Sequence, residues 1–128
     1  KELEKRNIKG KILTTDYLTF SQPQALDKLA AFSNVDLRMY RCGQSQDGFH
    51  TKGYIFKQGT IYQAIVGSSN LTMNALTINK EWNIGFSSLN NGEILNNIID
   101  EFKSLWNKSK DVDDIIDEYE SIYNHYKK

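Results

Sequence analysis

Apolar positions change their spacing several times along the chain, and each spacing predicts an element. After a charged lead-in, weakly helical at best, from Lys1 to Lys11, Ile12-Leu13-Thr14-Thr15 follows Gly10 and predicts a first strand. Turn and cap residues occupy Asp16 to Gln22. Pro23 then suits the first turn of a helix, and Leu26, Leu29, Ala30 and Phe32 recur at near-helical spacing. Val35, Leu37 and Met39 alternate with Asp36, Arg38 and Tyr40, so a strand there turns the two sets to opposite faces. Gly43 to Gly48 is a polar loop in which Gln44, Ser45 and Gln46 are candidates to touch a substrate.

His50 to Phe56 and Thr60 to Val66 are rich in aromatic and β-branched residues and predict two strands, joined through Lys57-Gln58-Gly59 as a hairpin. Gly67-Ser68-Ser69-Asn70 ends the hairpin with a tight turn and helix-cap candidates, and a helix follows over about Leu71 to Ile78. Glu81 to Ser88 reads as the next strand, with Trp82, Ile84 and Phe86 on one face and Glu81 and Asn83 on the other.

Two amphipathic helices make up the C-terminal third. Gly92 to Trp106 carries Ile94, Leu95, Ile98, Ile99, Phe102, Leu105 and Trp106 on a broad apolar stripe that should pack on the sheet. Val112 to Tyr126 carries a thinner one at Ile115, Ile116, Tyr119, Ile122 and Tyr123. That second helix is open to two readings, docking on the domain or leading into a further one. Strands alternating with helices, then a hairpin, predict an α/β sandwich with a mixed sheet flanked by helices. The expected division is a core over residues 1–90 and C-terminal helices over 91–128.

Composition narrows the function classes. A chain of 128 residues is one domain by length, and 25% charged with 12% aromatic residues is ordinary for a globular protein. No run approaches the roughly 18 apolar residues of a membrane span and no signal-peptide pattern opens the chain, so a cytoplasmic location is expected. The single Cys42 reads as a buried or loop thiol, and two distant histidines offer no metal-ligand cluster, so neither cofactor nor metal is expected. Sixteen Lys and Arg balance sixteen Asp and Glu, but Lys1 to Lys11, Arg38 and Arg41 make the N-terminal half basic, whereas Asp111 to Glu120 is acidic. The chain starts at Lys1 and reads as a piece of something longer. It has no GxxxxGK[ST] motif, so any ATPase is expected elsewhere in the parent protein.

The candidate chemistry lies between His50 and Glu81. Residues two apart on a strand share a face, which sets the His50 imidazole beside the Lys52 ammonium. If the Gly67-Ser68-Ser69-Asn70 turn folds back beside them, its backbone amides, Ser68 and Asn70 complete a phosphate-sized space at a helix start.

HxK, a spacer, GSxN and a later carboxylate resemble the half-site of the phospholipase D superfamily. The text from GKILTTDYLTF through VDLRMY and HTKGYIF to VGSSNLTMNALTINKEWNIGFSS, about three-quarters of the chain, resembles the phospholipase D-like nuclease domain fused to some bacterial superfamily II helicases and restriction-type proteins. The resemblance implies a phospholipase D-like α/β sandwich, one half-domain whose family strand and helix ahead of GKILTT are missing here. It also implies that His50 is the nucleophile and forms a phosphohistidine, with a second histidine as general acid. Lys52 and Asn70 hold the non-bridging oxygens, Ser68 orients or contacts them, and Glu81 bonds the far imidazole nitrogen and fixes its tautomer. One residue departs from the longer family motif: Lys57 stands at the place that corresponds to an aspartate, which nuclease members can lack.

The expected function is a metal-independent phosphodiesterase acting on DNA as a module of a helicase or restriction system. The alternatives are a catalytically weak DNA-binding or dimerisation module of a helicase, and, disfavoured by the missing aspartate, lipid or phosphatidyl transfer. His125, on a polar helix face, reads as solvent-exposed and cannot be the second histidine. An isologous homodimer that shares one site supplies it, with Tyr54, Phe56 or Leu71 as candidates to seal the contact.

Overall fold

Val35, Leu37 and Met39 alternate with polar neighbours, and a strand of that pattern needs apolar cover on one side. The computed structural model describes residues 2–16, 21–42, 52–67, 83–89 and 92–127. The chain divides into two compact units, residues 1–49 with 103–128 and residues 50–102. Four helices and two three-stranded sheets make up the described residues.

In the first unit a short helix α1 (Glu2–Lys5) precedes strand β1 (Gly10–Thr15), helix α2 (Pro23–Ala30) and strand β2 (Val35–Tyr40). β1 and β2 run parallel, from Gly10 opposite Val35 to Thr15 opposite Tyr40, and α2 is the crossover that a parallel pair requires. Helical periodicity extends to Phe32 in the sequence, yet α2 stops at Ala30. The Phe32 amide bonds to the Leu29 carbonyl and the Phe32 carbonyl accepts from Val35, a tight turn that delivers the chain into β2.

The second amphipathic helix docks here. Leu26 of α2, Leu37 and Met39 of β2, and Val112, Ile115 and Tyr119 of the last helix form one buried cluster. A two-residue strand that periodicity does not reveal, β6 (Lys110–Asp111), pairs antiparallel with β2 and sets that helix, α4 (Val112–Tyr126), in place. Asp111 also caps α4, its Oδ1 accepting from the Asp113 amide at 3.0 Å, and Asp113 and Asp114 sit at the positive end of the helix. The acidic run thus begins as a helix start. Sheet order is β1-β2-β6, and the expected mixed pairing is found in this sheet.

Polar groups close the ends of β1 and β2. Asp16 accepts from Arg41 Nε at 2.8 Å and from the Cys42 amide at 2.7 Å, and Arg41 Nη2 reaches Glu118 at 3.4 Å. Tyr119, fully buried, donates its hydroxyl to the Ser21 carbonyl at 2.6 Å. Burial first, and then the negative charge of Asp16, push the Tyr119 phenol up to about 12 from its ordinary 10.0. The folded chain therefore keeps a proton that the unfolded chain releases, so this contribution to stability is complete below pH 10 and is lost as pH rises towards 12. Chemical denaturation of Tyr119→Phe should show a shallower loss of stability over that window than the parent chain. An identical slope in the two would remove Tyr119 as its source.

The second unit contains β3 (Lys52–Gln58), β4 (Ile61–Gly67) and β5 (Asn83–Leu89) as an antiparallel meander in the order β3-β4-β5, and the start of helix α3 (Glu93–Lys108). β3 runs further than the aromatic content suggests. Lys57 pairs with Tyr62 and Gln58 with Ile61, so the hairpin turn is Gly59-Thr60. Gly59 has φ +62°, a left-handed value at the first of two turn residues, where a II′ hairpin takes glycine.

Along α3, Leu95 and Trp106 are buried and Ile98, Ile99, Phe102 and Leu105 half-buried. Ile94, expected on the same stripe, is 66% exposed at the edge of that stripe in the first turn of the helix. Trp106 lies under two cations, 5.2 Å from Lys11 Nζ and 5.3 Å from the Arg38 guanidinium.

The register sorts the second sheet into two faces. One carries Ile55, Lys57, Tyr62, Ala64, Val66 and Phe86, with Ala64 fully buried. The other carries Tyr54, Phe56, Gln58, Ile61, Gln63, Ile65, Gly85, Ser87 and Leu89. On it Phe56, Ile61, Ile65 and Leu89 are 56%, 50%, 37% and 58% exposed.

Candidate functional site

Lys52 is the first residue of β3, and its backbone pairs with Gly67, the last residue of β4. Gly67 in turn pairs with Asn83, the first residue of β5. Lys52, Gly67 and Asn83 therefore form one row across the end of the meander. With neighbouring strands about 4.8 Å apart, the row spans about 10 Å.

Each of the other motif residues continues from that row. His50 precedes Lys52 by two residues, Ser68 follows Gly67 directly, Asn70 lies two beyond Ser68, and Glu81 precedes Asn83 by two. His50, Ser68, Asn70 and Glu81 lie outside the described residues, as do the helix expected over Leu71 to Ile78 and the Gln44, Ser45 and Gln46 loop. Lys52 is placed by its backbone pairing. The structure thus brings together the three strand ends that carry the motif.

Lys57 is five residues along β3 from Lys52, about 17 Å of extended chain. Its ammonium lies 5.4 Å from the Tyr62 ring, on the covered side of the sheet. The departure from the family pattern thus falls at the hairpin, far from the row at the other end of the strand.

The remaining candidates are settled by burial. Cys42 is 5% exposed and shares a hydrogen bond with Thr15 Oγ1 at 3.0 Å, which makes it a structural thiol. His125 is exposed near the end of α4, its ring 5.6 Å from that of Tyr126. Of the residues named as seals of a dimer contact, Phe56 is exposed, Tyr54 is half-buried, and Leu71 lies outside the described residues. Ile61, Ile65 and Leu89 are exposed on the same face as Phe56. No local signal marks Ile61 and Ile65, because β4 is apolar on both faces. Among the described residues no three His, Cys, Asp or Glu side chains gather as a metal site. The hollow lined by Lys9, Lys11, Ser33 and Asn34 in the first unit holds none of the motif residues.

A family model described as "Cardiolipin synthase, PLD-like domain" matches residues 1–106, a span that includes the whole motif from His50 to Glu81. No curated protein matches the chain.

Proposed function

This chain belongs to the cardiolipin synthase, PLD-like domain family of the phospholipase D superfamily, and from that membership we propose a metal-independent phosphodiesterase that cleaves DNA through a phosphohistidine. The observation that carries the reading is the row Lys52, Gly67, Asn83. An extended chain covers at most about 3.5 Å per residue, so His50 and Glu81 are tethered within about 7 Å of the row, and Asn70 within about 11 Å. Reagents scattered over more than thirty positions of sequence are thereby held near one phosphate.

In the proposed reaction a nitrogen of His50 forms a bond to phosphorus as the bond from phosphorus to the leaving oxygen breaks. That oxygen takes its proton from the His50 of a second copy. Water then attacks the phosphohistidine, gives its proton to that second histidine, and restores His50. Lys52 and Asn70 neutralise charge on the non-bridging oxygens, Ser68 orients them, and Glu81 holds the imidazole tautomer. A helicase or restriction-type parent protein is the setting that the family resemblance supports.

Plasmid and single-stranded DNA incubated with the chain in EDTA should be cut at the same rate as without it, read on a gel. Complete inhibition by EDTA that magnesium reverses would replace this mechanism with a metal-dependent one. Binding without any cutting would favour the DNA-binding or dimerisation module. The family description favours one further reading, phosphatidyl transfer, in which the same histidine chemistry passes a lipid phosphoryl group to an alcohol. Among the described residues no helix is long and apolar enough to cross a membrane. Product analysis with phosphatidylglycerol vesicles separates the two substrates.

Glu81→Gln should keep affinity for DNA and lower the single-turnover rate, because an amide still bonds the imidazole but no longer stabilises its cation. A rate equal to the parent's would remove Glu81 from the mechanism.

A further inference from the structure

We propose that the hollow where β1 and β2 begin holds the phosphate backbone of DNA and reads none of its bases. The proposal rests on the DNA reading above and adds a contact within the first unit. Lys9, Lys11, Ser33, Asn34 and Asp36 line the hollow, and its volume of about 570 Å³ lies within the roughly 300–1,000 Å³ of ligand clefts. Its wall is fixed before any ligand arrives. Ser33 Oγ donates to Glu4 Oε1 at 3.0 Å, Asn34 Nδ2 donates to the Ile8 carbonyl at 2.8 Å, and the Gly10 amide bonds to the Asn34 carbonyl. These bonds tie the segment ahead of β1 to the turn ahead of β2, so binding has little left to order.

Charge selects the occupant. Among the described residues the ion pairs join Arg6 to Glu2 and Arg41 to Asp16 and Glu118. Lys9 and Lys11, both exposed, belong to none of them. Register sets Asp36 opposite Lys11, yet the Lys11 ammonium lies 5.2 Å from the Trp106 ring instead. Two lysines against one aspartate leave the lining net positive, and cations so placed replace the counterions of a phosphate chain. Ser33 and Asn34 add neutral polar groups of the kind that position a backbone. A flat bilayer cannot enter a hollow, whereas a strand of phosphates follows one.

The ring beneath Lys11 excludes base reading. Trp106 is 8% exposed and lies against the Arg38 guanidinium as well, at 5.3 Å, so little of it is open for a base to stack on. Contact limited to phosphates is independent of sequence and weakens steeply with salt.

Fluorescence anisotropy of labelled oligonucleotides, single-stranded and duplex, tests this over about 50–200 mM salt, with His50→Ala in every chain so that none is cut. Lys9→Gln and Lys11→Gln should each weaken binding about threefold or more and lower the slope of log affinity against log salt by about one. Asp36→Asn, which removes the opposing charge, should tighten binding. Lys28→Gln takes the same charge from an exposed position of α2 and should leave affinity and slope as they were. All four positions are exposed or half-buried, and circular dichroism should not change. Equal weakening by Lys28→Gln and Lys11→Gln would reduce the effect to net charge and overturn the site. So would indifference to Lys9, Lys11 and Asp36, a clear preference among oligonucleotide sequences, or a chain that floats with phosphatidylglycerol vesicles and binds no oligonucleotide. Cleavage by chains that keep His50 separates this proposal from the functional one. Oligonucleotide binding that follows Lys9 and Lys11 in a protein that cuts no phosphodiester removes the activity and leaves the site, whereas DNA cutting indifferent to both lysines removes the site alone.

Discussion

Replacing His50 by alanine is expected to abolish phosphodiester cleavage while leaving the fold intact. A nucleophile has no substitute in the site, and the loss should be on the order of a thousandfold or more. Circular dichroism should match the parent chain, because the substitution falls ahead of β3 and not within it. Mixing adds a sharper reading. If two copies share one site, only dimers with both histidines cut, and an equal mixture of parent and His50→Ala subunits should fall to about a quarter of the undiluted activity. Independent sites would leave about half. Unchanged cleavage by a cleanly purified variant sinks the phosphohistidine mechanism, and a linear response to mixing sinks the shared site.

Met39→Ala should bring the first unit close to unfolding. Met39 lies in the middle strand of the β1-β2-β6 sheet, has no exposed surface, and belongs to the cluster with Leu26, Leu37, Val112, Ile115 and Tyr119. Truncating a side chain so enclosed removes its transfer energy and leaves a cavity, together about 2–5 kcal/mol. Total stabilities of about 5–15 kcal/mol make that a large fraction. Urea denaturation should show the midpoint falling sharply, while Ile94→Ala on the exposed side of α3 should change stability by about 0.5 kcal/mol or less. Equal effects from the two substitutions would mean that the cluster around Met39 is not the core of this unit.

Much of the local structure was legible in the amino-acid order. Val35 to Tyr40 and Val112 to Tyr126 begin and end where periodicity placed them, since a spacing of two or of 3.6 residues is a property of neighbours along the chain. The motif that names the chemistry was legible too, because HxK, GSxN and a carboxylate are matters of residue type and spacing. The family match covers all of it.

What the sequence could not decide were the contacts that each face would find. Strand β4 reads Ile61-Tyr62-Gln63-Ala64-Ile65-Val66, apolar on both faces. Nothing local distinguishes Ala64, which is 1% exposed, from Ile61 at 50%. Cover is a property of whatever element arrives from elsewhere in the chain. The docking of α4 was open for the same reason until β6 and the cluster around Met39 placed it. The row Lys52, Gly67, Asn83 is likewise a matter of register, which depends on a two-residue turn at Gly59-Thr60 and on pairing across fifteen intervening residues between Gly67 and Asn83. The chain order supplied the candidate residues by itself, and only hydrogen bonding between distant strands decided that their three strand ends meet.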